Sequence, residues 1–411
     1  MFSGGGAYLG KVRQFQHNAR WYLLFGMLTG FALGIMRLLF NFYVLSTGLD
    51  SSVMGLLVGL PPLIITVAAI PMGMLGHRIG FRTTLMIGTA AMAGAILGLS
   101  LSSAMAGLIA FSVLRGLGRT MLQVSGAPFM AENSGSGERT HLFSVQFASR
   151  MLANFAGLLL AGVLPSLVAA VFNVGAESTH AYRGALIVGA GIYALGLLPL
   201  LRTKALPVPA EPTVFRWKEM FHPPGLLLKL FLPQVVIGFG AGALVPFLNV
   251  FFKTKFGIGD SWLGVLFAVQ SALMALATFS GPVLAERWGR VRSVIGVQLA
   301  SIPFLVLLGY APVLTLSAIG FLFRAALMNA GNPLYTAFAM EKVSAKQRGT
   351  ASALMQMSWQ GTRSISSFVS GGIQEASGFA MLFPITIVMY TLASVLMYNF
   401  FIRPSRSNTG E

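Results

Sequence analysis

The chain has 411 residues, of which 55% are apolar and only 9% charged, and its mean hydropathy is +0.76. A soluble domain carries roughly a quarter charged residues, so the composition excludes a chain whose surface lies wholly in water and predicts an integral membrane protein. There is no cysteine, which excludes disulfides, structural Cys-zinc sites and thiol chemistry, and the net charge is +17.

Taken in order, residues 1–20 are polar and basic without the apolar core of a cleavable signal, so the first hydrophobic segment is expected to direct its own insertion. Apolar stretches of roughly 20 residues can cross a bilayer as helices. Twelve are predicted: 21–46, 52–75, 84–103, 105–131, 142–171, 182–201, 226–252, 261–285, 293–311, 313–340, 349–376 and 379–402. Period-2 alternation of the barrel kind is absent, so the class is an all-α membrane protein. Residues 202–225 are the only long polar stretch, Pro-rich, and read as a cytoplasmic linker with a short interfacial helix around Phe215–Phe221. The predicted organisation is a six-helix bundle at 1–201, the linker at 202–225, and a second six-helix bundle at 226–411.

The position of the charges accounts for their excess. With the N-terminus inside, 19 of the 28 Lys and Arg fall in cytoplasmic segments, three (Arg183, Lys253, Lys255) in outer loops and six within helices. That bias predicts cytoplasmic termini in the cytoplasmic membrane. The basic charge then serves topology and anionic lipid headgroups, and no nucleic-acid partner is needed.

A shift of 209 residues lays the first half on the second: Arg78 on Arg287, Gly80 on Gly289, Arg115 on Arg324, Glu132 on Glu341 and Arg139 on Arg348. A gapless match of charged and glycine landmarks over about 100 residues is the mark of a tandem duplication. The stretch that comes back is GMLGHRIGFRTTL, from Gly73 to Leu85, whose second copy is PVLAERWGRVRSV.

Twelve helices in two repeated sixes, with this stretch between helices 2 and 3, resemble the major facilitator superfamily. Its signature there, G-x-L-A-D-R-x-G-R-(R/K), is matched by Gly73, Leu75, Arg78, Gly80 and Arg82, and in the second copy by Leu284, Ala285, Glu286, Arg287, Gly289 and Arg290. Arg115 with Gly118 looks like the family's second motif, and GAPFMAEN at the end of helix 4 is closest in style to bacterial drug- and sugar-efflux members. The resemblance implies the family's fold, two six-helix repeats related by pseudo-two-fold symmetry, and a monomer. It also implies that the fifth-position acid latches one conformation by capping a helix. Glu286 keeps that capacity and His77 does not, which predicts either a pH-sensitive first latch or an ordinary solvated loop residue. Glu132 and Glu341 end helices at the depth of these loops, so Arg78–Glu132 and Arg287–Glu341 are candidate ion pairs.

Six arginines lie within helices: Arg37, Arg115, Arg119, Arg150, Arg324 and Arg363. Charge at mid-bilayer costs several kcal/mol and usually faces a watery cavity or a partner. Arg37 is roughly 13 Å from its helix end, deep for a snorkelling side chain. Pairing with backbone carbonyls is the alternative to a cavity. Arg115, Arg119 and Gln123 share one helical stripe, as do Gln146, Arg150 and Asn154. Arg37 with Asn41, Asn249, Asn332, and Trp359 with Arg363 complete a predicted polar ring for a small-molecule substrate, on helices that line the cavity in the family fold.

No acid or histidine is predicted deep in a helix. A proton-coupled antiporter usually needs a buried carboxylate, whereas arginines without counter-acids favour an anion or a zwitterion with an exposed phosphate or carboxylate. The leading reading is therefore a secondary transporter for a small anionic or amphipathic solute. The alternatives are proton-coupled efflux of neutral or cationic drugs or sugars, and a non-transporting sensor on the same fold. No nucleophile, base or metal-ligand set supports an enzyme, no P-loop supports an ATP-driven pump, and no cofactor or metal is expected.

Overall fold

The computed structural model describes residues 15–135, 139–204, 224–278, 280–343 and 348–403. The predicted interfacial helix near Phe215–Phe221 lies outside them, as do the side chains of Arg139 and Arg348. Among the described residues every regular element is helical. The first half contains α1 (His17–Ser46), α2 (Ser51–Ile79), α3 (Phe81–Leu101), α4 (Met105–Glu132), α5 (Arg139–Phe172) and α6 (Thr179–Arg202). The second contains α7 (Gly225–Phe256), α8 (Asp260–Thr278), α9 (Arg290–Tyr310), α10 (Leu314–Lys342), α11 (Arg348–Ser377) and α12 (Leu382–Phe401). A nine-residue helix, Ser280–Trp288, follows α8.

Eleven of these helices are long and apolar enough to cross a membrane. Their outward faces carry side chains such as Val67, Leu152, Leu228 and Leu276, each at least 60% exposed, which only lipid solvates without penalty. The chain is an integral membrane protein. The exception to the hydropathy rule is α11, a 30-residue helix rich in Ser, Gln and Gly. Its polarity has a local explanation. The hydroxyls of Ser366, Ser367 and Ser370 donate to the carbonyl oxygens of Phe239, Gly242 and Ala243 on α7, with the last two bonds at 3.1 and 2.5 Å. Hydroxyls spent on a neighbour's backbone cost little in an apolar surround.

The chain divides into two compact units, Met1–Thr47 with Val67–Thr213 and Gly48–Thr66 with Val214–Glu411. In the first, α1 packs on α5 and α6, and α3 packs on α4 and α6. In the second, α7 packs on α11 and α12, and α9 on α10 and α12. Helix α7 is interrupted by a 3-10 turn at Val245–Phe247, where Pro246 supplies no N–H to the ladder. Gly80 (φ 85°, ψ 145°) and Gly289 (φ 78°, ψ 156°) open α3 and α9 in a conformation that a Cβ disfavours.

The tightest approach in the first unit is α1 against α5. A Cβ on Gly157 would lie 2.0 Å from the Phe31 carbonyl oxygen, so the two backbones can meet there only without a side chain. Gly94 on α3 faces open space, with nothing within 4 Å of its notional Cβ. Gly157→Ala is therefore expected to lower the thermal midpoint of the purified protein clearly. Gly94→Ala should leave it unchanged or slightly raised, by the ~1 kcal/mol helix preference of alanine. Equal effects in a fluorescence melt would contradict the close-packing account.

Candidate functional site

The two signature loops share backbone geometry and differ in side-chain chemistry. In the first, His77 lies edge-on to Phe81 with ring centroids 5.0 Å apart, and Glu132 interacts electrostatically with His77. Arg78 is exposed, and no ion pair joins it to Glu132 among the described residues. In the second, Glu341 pairs with Arg290, while Arg287 lies over the Trp288 ring at 5.8 Å. The expected Arg287–Glu341 pair is thus replaced by Arg290–Glu341. The residue after the turn glycine starts the next helix and points back to the acid; in the first loop that position is Phe81, which cannot pair with Glu132. Arg82 has a different task again. Its guanidinium donates to the Thr203 hydroxyl (3.0 Å) and the Leu201 carbonyl (3.3 Å), capping the end of α6. Gly73 meets nothing within 4 Å, and Glu286 is exposed.

Deeper in the first unit, four helices converge on a cationic cluster. Arg119 of α4 and Arg150 of α5 both have exposed side chains and act electrostatically on each other and on Tyr193 of α6. Arg150 also acts on Tyr22 of α1. The rings of Tyr22 and Tyr193 are buried, Tyr22 between Phe25 and Phe129 at 5.4 and 5.3 Å. Gln146 lies beside Gly26, and Asn154 donates to the Gly30 carbonyl at 3.3 Å, tying α5 to α1. Arg115 lies over the Phe40 ring at 4.5 Å, half-buried, a favourable cation–π placement. Arg37 and Gln123 are exposed and Asn41 is buried.

The second unit treats its helix arginines differently. Arg324 is only 4% exposed; its Nη2 donates to the Tyr390 hydroxyl, and its Nε is buried without a hydrogen-bond partner. Arg363 and Trp359 are half-buried on α11, Asn249 is buried and Asn332 is exposed. The structure therefore brings Arg119 and Arg150 together, and places Arg324 in a contact of its own. Tyr22, Tyr193 and Tyr390 were not anticipated. Tyrosines usually sit at membrane interfaces, and the mid-helix positions of Tyr193 and Tyr390 are the signal that could have found those two.

The Arg324–Tyr390 contact makes a definite prediction. Tyr390→Phe leaves a buried guanidinium nitrogen unpaired and should cost about 1–3 kcal/mol. The double variant Arg324→Met/Tyr390→Phe should recover most of the loss, since an apolar replacement removes the uncompensated charge. A double variant no more stable than Tyr390→Phe in a thermal melt would contradict this.

Comparison with known proteins agrees with this architecture. No curated protein matches the sequence. Among solved structures, a bacterial homolog of the human lysosomal transporter Spinster in an inward-facing, unoccupied conformation matches with a TM-score of 0.76 at 17% identity, covering 93% of this chain and 96% of that one. The nucleoside transporter NupG matches with a TM-score of 0.74 at 13% identity, covering 93% and 98%. A bacterial homologue of the iron transporter ferroportin matches with a TM-score of 0.72 at 14% identity, again covering 93% and 98%. At such identities the likeness is one of fold. The family model of the Major Facilitator Superfamily matches residues 22–367 and 230–411, and the chain accordingly belongs to that superfamily, as a membrane transporter rather than an enzyme.

Proposed function

We propose that the protein is a secondary transporter that carries a small organic anion across the cytoplasmic membrane by alternating access. The observation that carries this reading is the pair of exposed arginines in the first unit, Arg119 and Arg150, which act electrostatically on one another. Every described Asp and Glu, by contrast, lies in a loop or near a helix end: Asp50, Glu132, Glu177, Asp260, Glu286, Glu341 and Glu375. Uncompensated positive charge inside a membrane protein is costly unless water or an anion reaches it. A solute with a carboxylate or phosphate group supplies the missing charge and the acceptors that guanidinium groups bind in pairs.

The same proposal takes α11 as a twelfth span, supported by the serine bonds that hold it to α7. It takes the chain as two six-helix repeats, supported by helix pairings that recur when six is added to each label: α1–α5 and α7–α11, α1–α6 and α7–α12, α3–α4 and α9–α10. Cytoplasmic termini follow from the bias of Lys and Arg toward the segments on one side.

A ligand of the folded state raises its thermal midpoint by mass action. Organic anions such as benzoate and citrate are expected to stabilise the purified protein, and the double variant Arg119→Gln/Arg150→Gln should lose that shift. Stabilisation by lipophilic cations or neutral drugs alone would sink the anion reading and favour drug efflux.

A further inference from the structure

We propose that Tyr22, Arg119, Arg150 and Tyr193 form a subsite in the first unit that selects a dianionic head, a phosphomonoester above all, over any monoanion. The inference rests on the organic-anion reading above and narrows it. Each of the four side chains comes from a different helix, α1, α4, α5 or α6, and two of them are seated by glycines. A Cβ on Gly126 would lie 2.6 Å from the Tyr22 hydroxyl oxygen, so only glycine leaves room for that hydroxyl. A Cβ on Gly30 would lie 2.9 Å from the Arg150 carbonyl oxygen and 3.0 Å from its Cγ, so Gly30 lets the Arg150 stem lie flat on α1. Tyr22 and Tyr193 are 5% and 1% exposed as whole residues and are held in place by packing.

Charge selects the ligand. Arg119 and Arg150 repel one another, and no described carboxylate lies at their depth to neutralise either. A monoanion would satisfy one guanidinium and leave the other uncompensated. A phosphomonoester carries close to two negative charges at neutral pH and three terminal oxygens. Two guanidinium forks and two hydroxyl donors can then be met by one head. A sulfonate, a phosphodiester or a single carboxylate lacks the second charge.

Three probes with a common phenyl ring test this in binding titrations at pH 7.5: phenyl phosphate, methyl phenyl phosphate and benzoate. Phenyl phosphate is expected to bind at least tenfold more tightly than either monoanion. Arg119→Gln and Arg150→Gln should each remove most of that preference, and Tyr22→Phe and Tyr193→Phe should weaken phenyl phosphate a few-fold. The wild type offers a test independent of variant folding. Phosphomonoesters gain a proton near pH 6, so the preference should shrink between pH 7.5 and 5.5 while benzoate binding changes little. Phosphatidic acid in detergent micelles separates sources: if it binds and phenyl phosphate and inorganic phosphate do not, the dianion chemistry stands and the head belongs to a lipid. Equal affinity for the three phenyl probes overturns the dianion subsite and leaves the organic-anion reading intact. Binding of none of these anions overturns both.

Discussion

Lipid hydrates neither a peptide group nor a charge, and nearly every feature of this protein answers to that constraint. Backbone groups are satisfied inside helices, so the described regular structure is helical throughout. Where Pro246 interrupts α7, the chain tightens into a 3-10 turn among buried neighbours such as Phe247 and Leu248. Hydroxyls in the spans bond back to carbonyls, as Thr29 does to Phe25 at 2.8 Å and Thr89 to Leu85 at 2.7 Å. Guanidinium groups, which no carbonyl can neutralise, must find water, an aromatic face or an anion. Arg115 uses Phe40, Arg324 uses Tyr390, and Arg119 and Arg150 stay open.

The fold class was legible because the lipid constraint is written in segment length and apolar content, which need no tertiary information. The arginines were legible for the same reason in reverse: each is conspicuous in an apolar run. Their partners were not. Tyr22 and Tyr193 are 171 residues apart and belong to one cluster only because α1 and α6 pack together. The choice between Arg287 and Arg290 for Glu341 depended on which side chain the turn at Gly289 directs toward α10, a question of backbone angle that residue spacing leaves open. The polarity of α11 masked nothing in the sequence, yet its reason, serines bonded to α7 carbonyls, became visible only in three dimensions.

The 209-residue correspondence also shows how far the two copies have diverged. Arg119 corresponds to Met328 and Arg150 to Trp359. Neither arginine of the cluster has a charged counterpart in the second half. Conversely, Arg115 and Arg324 correspond, yet one lies half-buried over Phe40 and the other is sealed against Tyr390. A carrier with the single head-group subsite proposed above needs its arginine pair in one unit alone, since two equal subsites would hold a small solute in competing poses.

The serine seam of α11 has a bearing on how the chain enters the bilayer in the first place. A helix of such low hydropathy gains little by partitioning into hydrocarbon alone, even where a hydroxyl such as that of Ser367 also bonds back to its own helix. Its acceptors belong to α7, which is synthesised more than 100 residues earlier and is strongly apolar. With α11 taken as the proposed twelfth span, α7 would serve it as a template, offering carbonyls at Phe239, Gly242 and Ala243. Insertion of α11, on that reading, is an act of tertiary folding, whereas its neighbours α10 and α12 are apolar enough to enter the bilayer by hydrophobicity.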